Sequence, residues 1–425
     1  MKRKRILIFS NVKILQSDLK GTGNWIIRFI DELESLNIYN IFIAFHENQS
    51  IKIKSEKVGR ITIIRIPYFS KNKLINRILS GWLIVDKYRN SLKNYLQVID
   101  LINPDIIQIF GLESPFIRIL KSTKIPVVVH IQGLIAPYLL KYFPRFTNYE
   151  IVKARGVLNL LAGNIPFIEK KGMMNHLKIE NDVYSSIKFV LGRTEWDKRC
   201  AKALVPKAKY FHCQEIMRDS FYKNFWQPKE GKEIVLYTTI KDVFYKNVDI
   251  IFETCEIMEK HHNIFFVWRI GGVTKEDITP KIMRMRKKHL PSIVLLGPLN
   301  VHEIIKEILN ANIFVYPSSI ENGCNAVQEA MLLGIPIIAC YSGGLTTTLQ
   351  DKISGVLVNE GDPFVLAGAI IEMVENYSKA IELGNSARRI ALERHNPKDI
   401  INDVKTIYNL ISDGENERSS QSADE

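Results

Sequence analysis

The sequence predicts an α/β protein of two domains, each built on a parallel sheet. Three observations lead there. The chain has 425 residues, whereas single hydrophobic cores stop growing at roughly 250–300 residues. Short β-rich apolar runs alternate with helical patterns, as they do where helices cross over between parallel strands. The two halves also repeat one plan, each opening on a strand that leads into a helix.

In chain order, the strands expected in the first half are RILIFS (5–10), IFIAFH (41–46), ITIIRI (61–66), DIIQIF (105–110), PVVVHI (126–131) and KFVLG (188–192). Those of the second half are EIVLYT (233–238), IFFVWRI (264–270), SIVLLG (292–297), IFVYPS (313–318), PIIAC (336–340) and GVLV (355–358). Residues 67–98 and 134–176 do not read as sheet. The stretch 71–99 is a helical pattern mixing Lys and Arg with Trp82, Tyr88 and Tyr95, and PYLLKYFPRF (137–146) continues that character. Such stretches lie at a membrane interface or fill a core, and both readings stay open. Residues 218–233, with Pro228 and Gly231, read as a linker. The last residues, 412–425, are polar, terminal and expected to be disordered.

Composition sets the class. Apolar residues make up 46% of the chain and charged residues 24%, as in a globular protein. Cys200, Cys213, Cys255, Cys324 and Cys340 form no Cys-x-x-Cys and are odd in number, which is no disulfide framework and fits a reducing compartment. The basic start MKRKR precedes an apolar run too short for a signal peptide, and no stretch reaches the roughly 18 apolar residues of a membrane span. A cytoplasmic protein is expected. Its charge is uneven. Residues 1–230 hold 38 Lys and Arg against 19 Asp and Glu, a balance of +19, while the remainder holds 20 against 26, a balance of −6. One half therefore faces something anionic, or its lysines are simply solvated. No RNP, zinc-finger or helix-turn-helix pattern points to nucleic acid. An anionic membrane surface is the better candidate, with the protein peripheral on its inner face.

The chemistry concentrates in residues 312–358. A strand ends at Pro317, a loop carries Glu321, and a helix starts near Asn325, where Asn325 and Gln328 have capping-box spacing. Gly334 followed by Pro336 ends it. Such a start aims backbone N–H groups at Gly323, Cys324, Asn325 and Ala326 toward a phosphate. Glu329, one turn inside, can accept two bonds from a vicinal diol such as a ribose, and Glu321 can reach a second polyol.

Two glutamates eight apart are weak evidence alone, but their surroundings closely resemble the E-x7-E signature of retaining glycosyltransferase family 4, in its bacterial polysaccharide-building branch. Pro317, Ser318, Glu321, Glu329, Ala330, Met331, Gly334, Pro336, Ala339, Gly343, Gly344 and Gly355 fall on the family pattern. GRTEWD (192–197) and HCQEIMRDSFY (212–222) also look like segments of that branch. YKNVDII (245–251) is similar to the family's K-G-x-D-x-L-L, which implies that Lys246 contacts the donor pyrophosphate. Asn247 there replaces the usual Gly, and Lys241 is aligned loosely with a second basic residue.

The resemblance implies a GT-B fold, in which two Rossmann-like domains face a central cleft. An acceptor domain is expected at 1–225, a donor domain at 226–395, and a helix at 396–411 crossing back to the first. Catalytic roles fall on Glu321 and Lys246, and donor contacts on Glu329, Lys241 and residues 323–326. On the acceptor side, Gly21, Gly23 and Asn24 form a loop that lets backbone approach a ligand. Glu113 stands at a strand end, where ligands collect. Many members place a histidine before the glycine where this chain has Gln132. Gln132 is read as facing the ligand, and His130, two residues earlier, as structural. No Asp-x-Asp occurs, so neither a metal nor another cofactor is expected, and Glu195-Trp196-Asp197 reads as a helix start capped by Thr194. The implied reaction moves a sugar, with retention, from a nucleotide-sugar (a UDP-sugar first) to a saccharide or lipid-linked saccharide in surface polysaccharide biosynthesis. Two alternatives stay open: a sugar-nucleotide epimerase of the same fold, and a silent relative that binds a membrane or a partner.

Overall fold

The computed structural model describes residues 3–11, 25–47, 52–67, 91–142, 145–156, 159, 166–229, 231–261, 264–287 and 291–421. The expected α/β architecture is present as two sheets. The first comprises β1 (Lys4–Phe9), β2 (Tyr39–Glu47), β3 (Lys54–Val58), β4 (Ile61–Pro67), β5 (Ile106–Phe110), β6 (Val127–His130), β7 (Phe189–Gly192) and β8 (Lys209–His212). Their order is β3-β4-β2-β1-β5-β6-β7-β8, and only the β3–β4 pair is antiparallel. The second comprises β9 (Ile234–Thr239), β10 (Phe266–Gly271), β11 (Ile293–Gly297), β12 (Ile313–Tyr316), β13 (Ile337–Cys340) and β14 (Val356–Val358), ordered β11-β10-β9-β12-β13-β14 and parallel throughout.

All twelve expected strands are among these. Parallel strands buried on both faces read as continuous apolar runs, and β5, β6, β12 and β13 are buried at every position. The two strands without such a signal, β3 and β8, lie at the sheet edges. KSEKV and KYFH have no fully buried residue, so pairing with a neighbour makes them strands, and apolar pattern does not.

Helices that bear on the site are α1 (Trp25–Ser35), α2 (Leu92–Ile102), α3 (Ile135–Lys141), α4 (Asn148–Arg155), α5 (Pro166–Val183), α6 (Glu195–Leu204), α7 (Asp219–Lys223), α8 (Val248–His261), α9 (Ile278–Met285), α10 (Val301–Asn310), α11 (Asn325–Leu333) and, last in the chain, α12 (Pro397–Gln421). Along α12, Ile400, Ile401, Val404, Ile407, Tyr408 and Ile411 recur at helical spacing and join the core of the first sheet. The Tyr408 hydroxyl donates to Gln108, the polar residue inside β5.

Two expectations are corrected. Residues 218–233 are no loose linker: they form α7 and then bury Trp226, whose Nε1 donates to the Ala311 carbonyl at 2.7 Å and whose N–H donates to Leu333 O at 2.8 Å. A tail expected to lack structure from residue 412 instead continues α12 as far as Gln421. Of the basic-aromatic stretch 71–99, residues 71–90 lie outside the described residues. Tyr95 is wholly buried, against Phe9, Phe116 and His46, and Trp82 and Tyr88 lie outside the described residues. Lys141 pairs with Glu360, and Arg145 pairs with Glu253 and Asp249, so this second stretch faces the C-terminal half. Tyr142, Phe146 and Ile151 join the core of the second sheet. Among the described residues, no helix is long and apolar enough to cross a membrane.

Candidate active site

Strand β12 ends at Tyr316, and the loop from Pro317 to Cys324 runs into α11. Glu321 in this loop is buried, and Lys246 reaches it from a 3-10 turn, Phe244–Lys246. The Lys246 ammonium also lies 2.9 Å from the Tyr316 hydroxyl, which in turn donates to Glu321 Oε1 at 3.1 Å. Burial alone would lower the Lys246 ammonium; the Glu321 carboxylate, Cys324 and Tyr245 together outweigh it and hold the pKa above its ordinary value. The turn ends on Asn247 at φ 56°, a left-handed position that asparagine tolerates better than most residues. This accounts for the departure from glycine there. Its amide ties the turn to the loop, donating to Pro317 O at 3.0 Å and to Ser319 Oγ at 2.6 Å.

Helix α11 begins at Asn325, but the expected capping box is absent. The N-cap is Cys324, with no side-chain bond to the helix start. Asn325 is engaged elsewhere: with its amide oriented by its partners, it donates to Glu215 Oε2 at 2.9 Å and Gly323 O at 3.1 Å. The helix start is thus left without a side-chain cap beside Lys246 and Glu321. Ala326 lies in its first turn. Gly334, at φ 85°, closes the helix as expected. Gly343 and Gly344 let a second backbone lie on the loop: a Cβ at Gly343 would stand 2.1 Å from Glu321 O.

Glu329 is buried one turn into α11, where Arg218 donates to its Oε1 from Nε at 2.8 Å and from Nη2 at 2.5 Å. Burial raises the Glu329 carboxyl, against the pull of Arg218. Lys241, five residues before Lys246, is exposed.

On the first sheet, Gly21, Gly23 and Asn24 lie outside the described residues. Glu113 follows β5 and folds back over Gly111, whose φ is 92°. Burial raises its carboxyl against the backbone N–H groups of Glu113 and Gly133, and Oε2 has no hydrogen-bond partner among the described residues. His130, enclosed by Trp25 and Phe110, is lowered by burial and by Arg193 to about 3 and is neutral. Gln132 is half-buried; its Oε1 accepts from Arg193 Nη1 at 3.4 Å, and its Nε2 has no partner among the described residues.

The two sides meet through residues that the sequence did not single out. Arg193, at the end of β7, is buried in an ion pair with Glu215 and donates to Gly323 O at 3.2 Å. Thr194 Oγ1 donates to Asn322 Oδ1 at 2.8 Å, and Asn322 Nδ2 reaches Ile131 O at 3.5 Å and Gln132 O at 3.4 Å. Thr194 also caps α6 in a capping box with Asp197, as its spacing suggests. Arg193, Arg218 and Glu215 lie in the two segments that carry the resemblance, but each also bonds a residue of the 323–329 segment, over 100 residues away in sequence. Only the fold reveals them.

A cation and an uncapped helix start are suited to a diphosphate, and two buried carboxylates to hydroxyl pairs. A family model, glycosyl transferases group 1, matches residues 220–390. Over that segment the chain is similar to the group 1 glycosyltransferases. Among curated relatives, the capsular polysaccharide biosynthesis glycosyltransferase CapM of Staphylococcus aureus is 26% identical over 155 residues, 36% of this chain and 40% of that protein. Matches to such relatives span about two fifths of their length or less. Sucrose-phosphate synthase from Thermosynechococcus elongatus superposes with a TM-score of 0.70 at 13% identity, covering 96% of this chain and 99% of its own. Anabaena HepE, solved with UDP and glucose, gives 0.61 at 11% identity, covering 95% and 99%. At such identities these neighbours establish the fold, GT-B, over nearly the whole chain.

Proposed function

We propose that this protein transfers a sugar, with retention of configuration, from a nucleotide-sugar donor to a saccharide or lipid-linked saccharide. The observation that carries the reading is the buried Lys246–Glu321–Tyr316 set beside the start of α11, with Glu329 one turn in. In this reading Lys246 exchanges part of its hold on Glu321 for the donor diphosphate, and α11 supplies N–H groups to the same anion. Glu329 takes the ribose diol on the oxygen that Arg218 leaves open, and Glu321 meets the sugar. As the sugar departs, charge builds on the phosphate oxygens. Lys246 and the helix start are already fixed beside them, so stabilisation is electrostatic and needs no metal. Glu113 and Gln132 offer the acceptor one hydrogen-bond acceptor and one donor that are unpaired among the described residues. A UDP-sugar is favoured because HepE was solved with UDP and glucose, and a surface polysaccharide because CapM builds capsule.

A further surface supports the membrane reading. Along α5, the exposed residues Phe167, Lys171, Met174 and Lys178 are spaced four, three and four apart, which places them on one face. Apolar and basic side chains alternate there, a pattern suited to anionic lipid. The enzyme would then sit on the inner membrane face where a lipid-linked acceptor is presented. Thermal shift with UDP-, GDP- and ADP-sugars, followed by donor hydrolysis assays, tests the central reading. A shift and turnover with one of them support it; no response to any of them defeats it.

A further inference from the structure

The turn that presents Lys246 is gripped from the opposite half of the molecule. On its own side, Ser319 N donates to Tyr245 O at 2.8 Å and Asn247 ties the turn to the 317–319 loop. The other side is covered by Tyr138, Tyr142 and Phe146, of which Tyr142 and Phe146 seat themselves in the core of the second sheet. The Tyr142 and Phe146 rings meet Phe244 edge-on, with centroids 6.1 and 6.3 Å away, and Tyr138 meets Tyr245 at 5.2 Å. Three rings from the first half thus bear on the two residues immediately before Lys246.

The grip is anchored at its far end. Arg286, from the end of α9, lies 5.1 Å over the Phe146 ring and holds Glu150 through bonds of 2.6 and 3.0 Å. Arg145 pairs with Glu253 at 3.0 Å and Asp249 at 3.5 Å, both on α8. Helix α8 follows directly from Asn247. The clasp therefore holds the turn and the helix into which it runs, and a three-residue 3-10 turn has little rigidity of its own.

We propose that Tyr142 and Phe146 are positioning residues for Lys246, so that seating this clasp of the first half on the second aims the phosphate-binding cation. The proposal rests on the reading that Lys246 meets the donor phosphates. It adds that the geometry of Lys246 is set across the two halves. A fixed ammonium meets a diphosphate without reorganisation, whereas a loose one spends its attraction on ordering itself.

The test is a double-mutant cycle read by titration calorimetry with inorganic pyrophosphate, a probe that needs no knowledge of the base or sugar. Phe146→Ala is expected to weaken pyrophosphate about tenfold, the lower range for losing a charge-assisted contact. In a Lys246→Ala background the same change should cost nothing further, because it acts through Lys246. Phe146→Tyr, which keeps the ring, should restore affinity, and Phe146→Leu stands in if the alanine variant does not fold. Equal weakening in both backgrounds, or none in a folded single variant, overturns the proposal. Failure of Lys246→Ala itself to weaken pyrophosphate would instead count against the reading of the site.

Discussion

Glu329 and Arg218 form a pair with a specific cost structure. Glu329→Ala removes a carboxylate placed for a ribose and leaves Arg218 unpaired, although Arg218 is about one-fifth exposed and can be solvated. Nucleotide affinity should fall roughly ten- to hundredfold, the value of about 1.5–3 kcal/mol for charge-assisted bonds. Circular dichroism should show a folded variant. Unchanged affinity in that folded protein would remove the ribose from Glu329. A second buried carboxyl, Glu180, makes a prediction about pH. It is fully buried and accepts from the Tyr184 hydroxyl at 3.0 Å; burial, with Glu113 nearby, pushes it up to about 8. The folded state therefore keeps a proton that the unfolded chain releases above about 4.5. Stability from this group is present at low pH and declines as pH rises from about 5 to 8. Glu180→Gln should flatten that decline, gaining stability relative to the parent across this window on the order of a few kcal/mol. Parallel pH profiles in urea melts would refute the assignment.

Among the elements, the legible ones were those whose burial dictates composition. Apolar runs such as VVVH and IFVY can only be central strands, and the loop-helix segment from Pro317 to Gly334 carries its glycines and glutamates in a recognisable order. What escaped notice depends on contacts distant in sequence. Strands β3 and β8 take their conformation from a neighbouring strand. The spacing of Asn325 and Gln328 suggested a cap, yet Glu215 draws the Asn325 amide away. The aromatic stretch at 137–146 could not be told from an interfacial segment without knowing that Phe244 and Arg286 await it. Helix α12 offers a test at this scale. Tyr408→Phe removes the only hydrogen bond that the Gln108 side chain inside β5 makes among the described residues, and stranding that amide should cost about 1–3 kcal/mol. A urea midpoint within error of the parent would mean that the bond contributes nothing.

At the scale of the molecule, the two sheets are joined through α12, through Tyr138, Tyr142 and Phe146, and through the Arg193 junction. The charge contrast, +19 against −6, adds a directional surface. Each well-placed Lys near anionic lipid contributes on the order of 1 kcal/mol, fading over a Debye length. Flotation with phosphatidylglycerol vesicles should show binding that weakens as salt rises. Lys171→Glu with Lys178→Glu should reduce it while leaving nucleotide-sugar hydrolysis intact; binding equal to the parent's would clear α5 of the role. The claim on which the rest depends is metal-independent turnover of a nucleotide-sugar through Lys246. The direct measurement is nucleotide release from the UDP-, GDP- and ADP-sugar panel in EDTA, for the parent and for Lys246→Ala. The account predicts release from at least one donor, undiminished by EDTA, and a loss of about a hundredfold in the variant, as for removal of one fixed donor to a developing anion. No release from any donor, or release that EDTA abolishes and manganese restores, would contradict it.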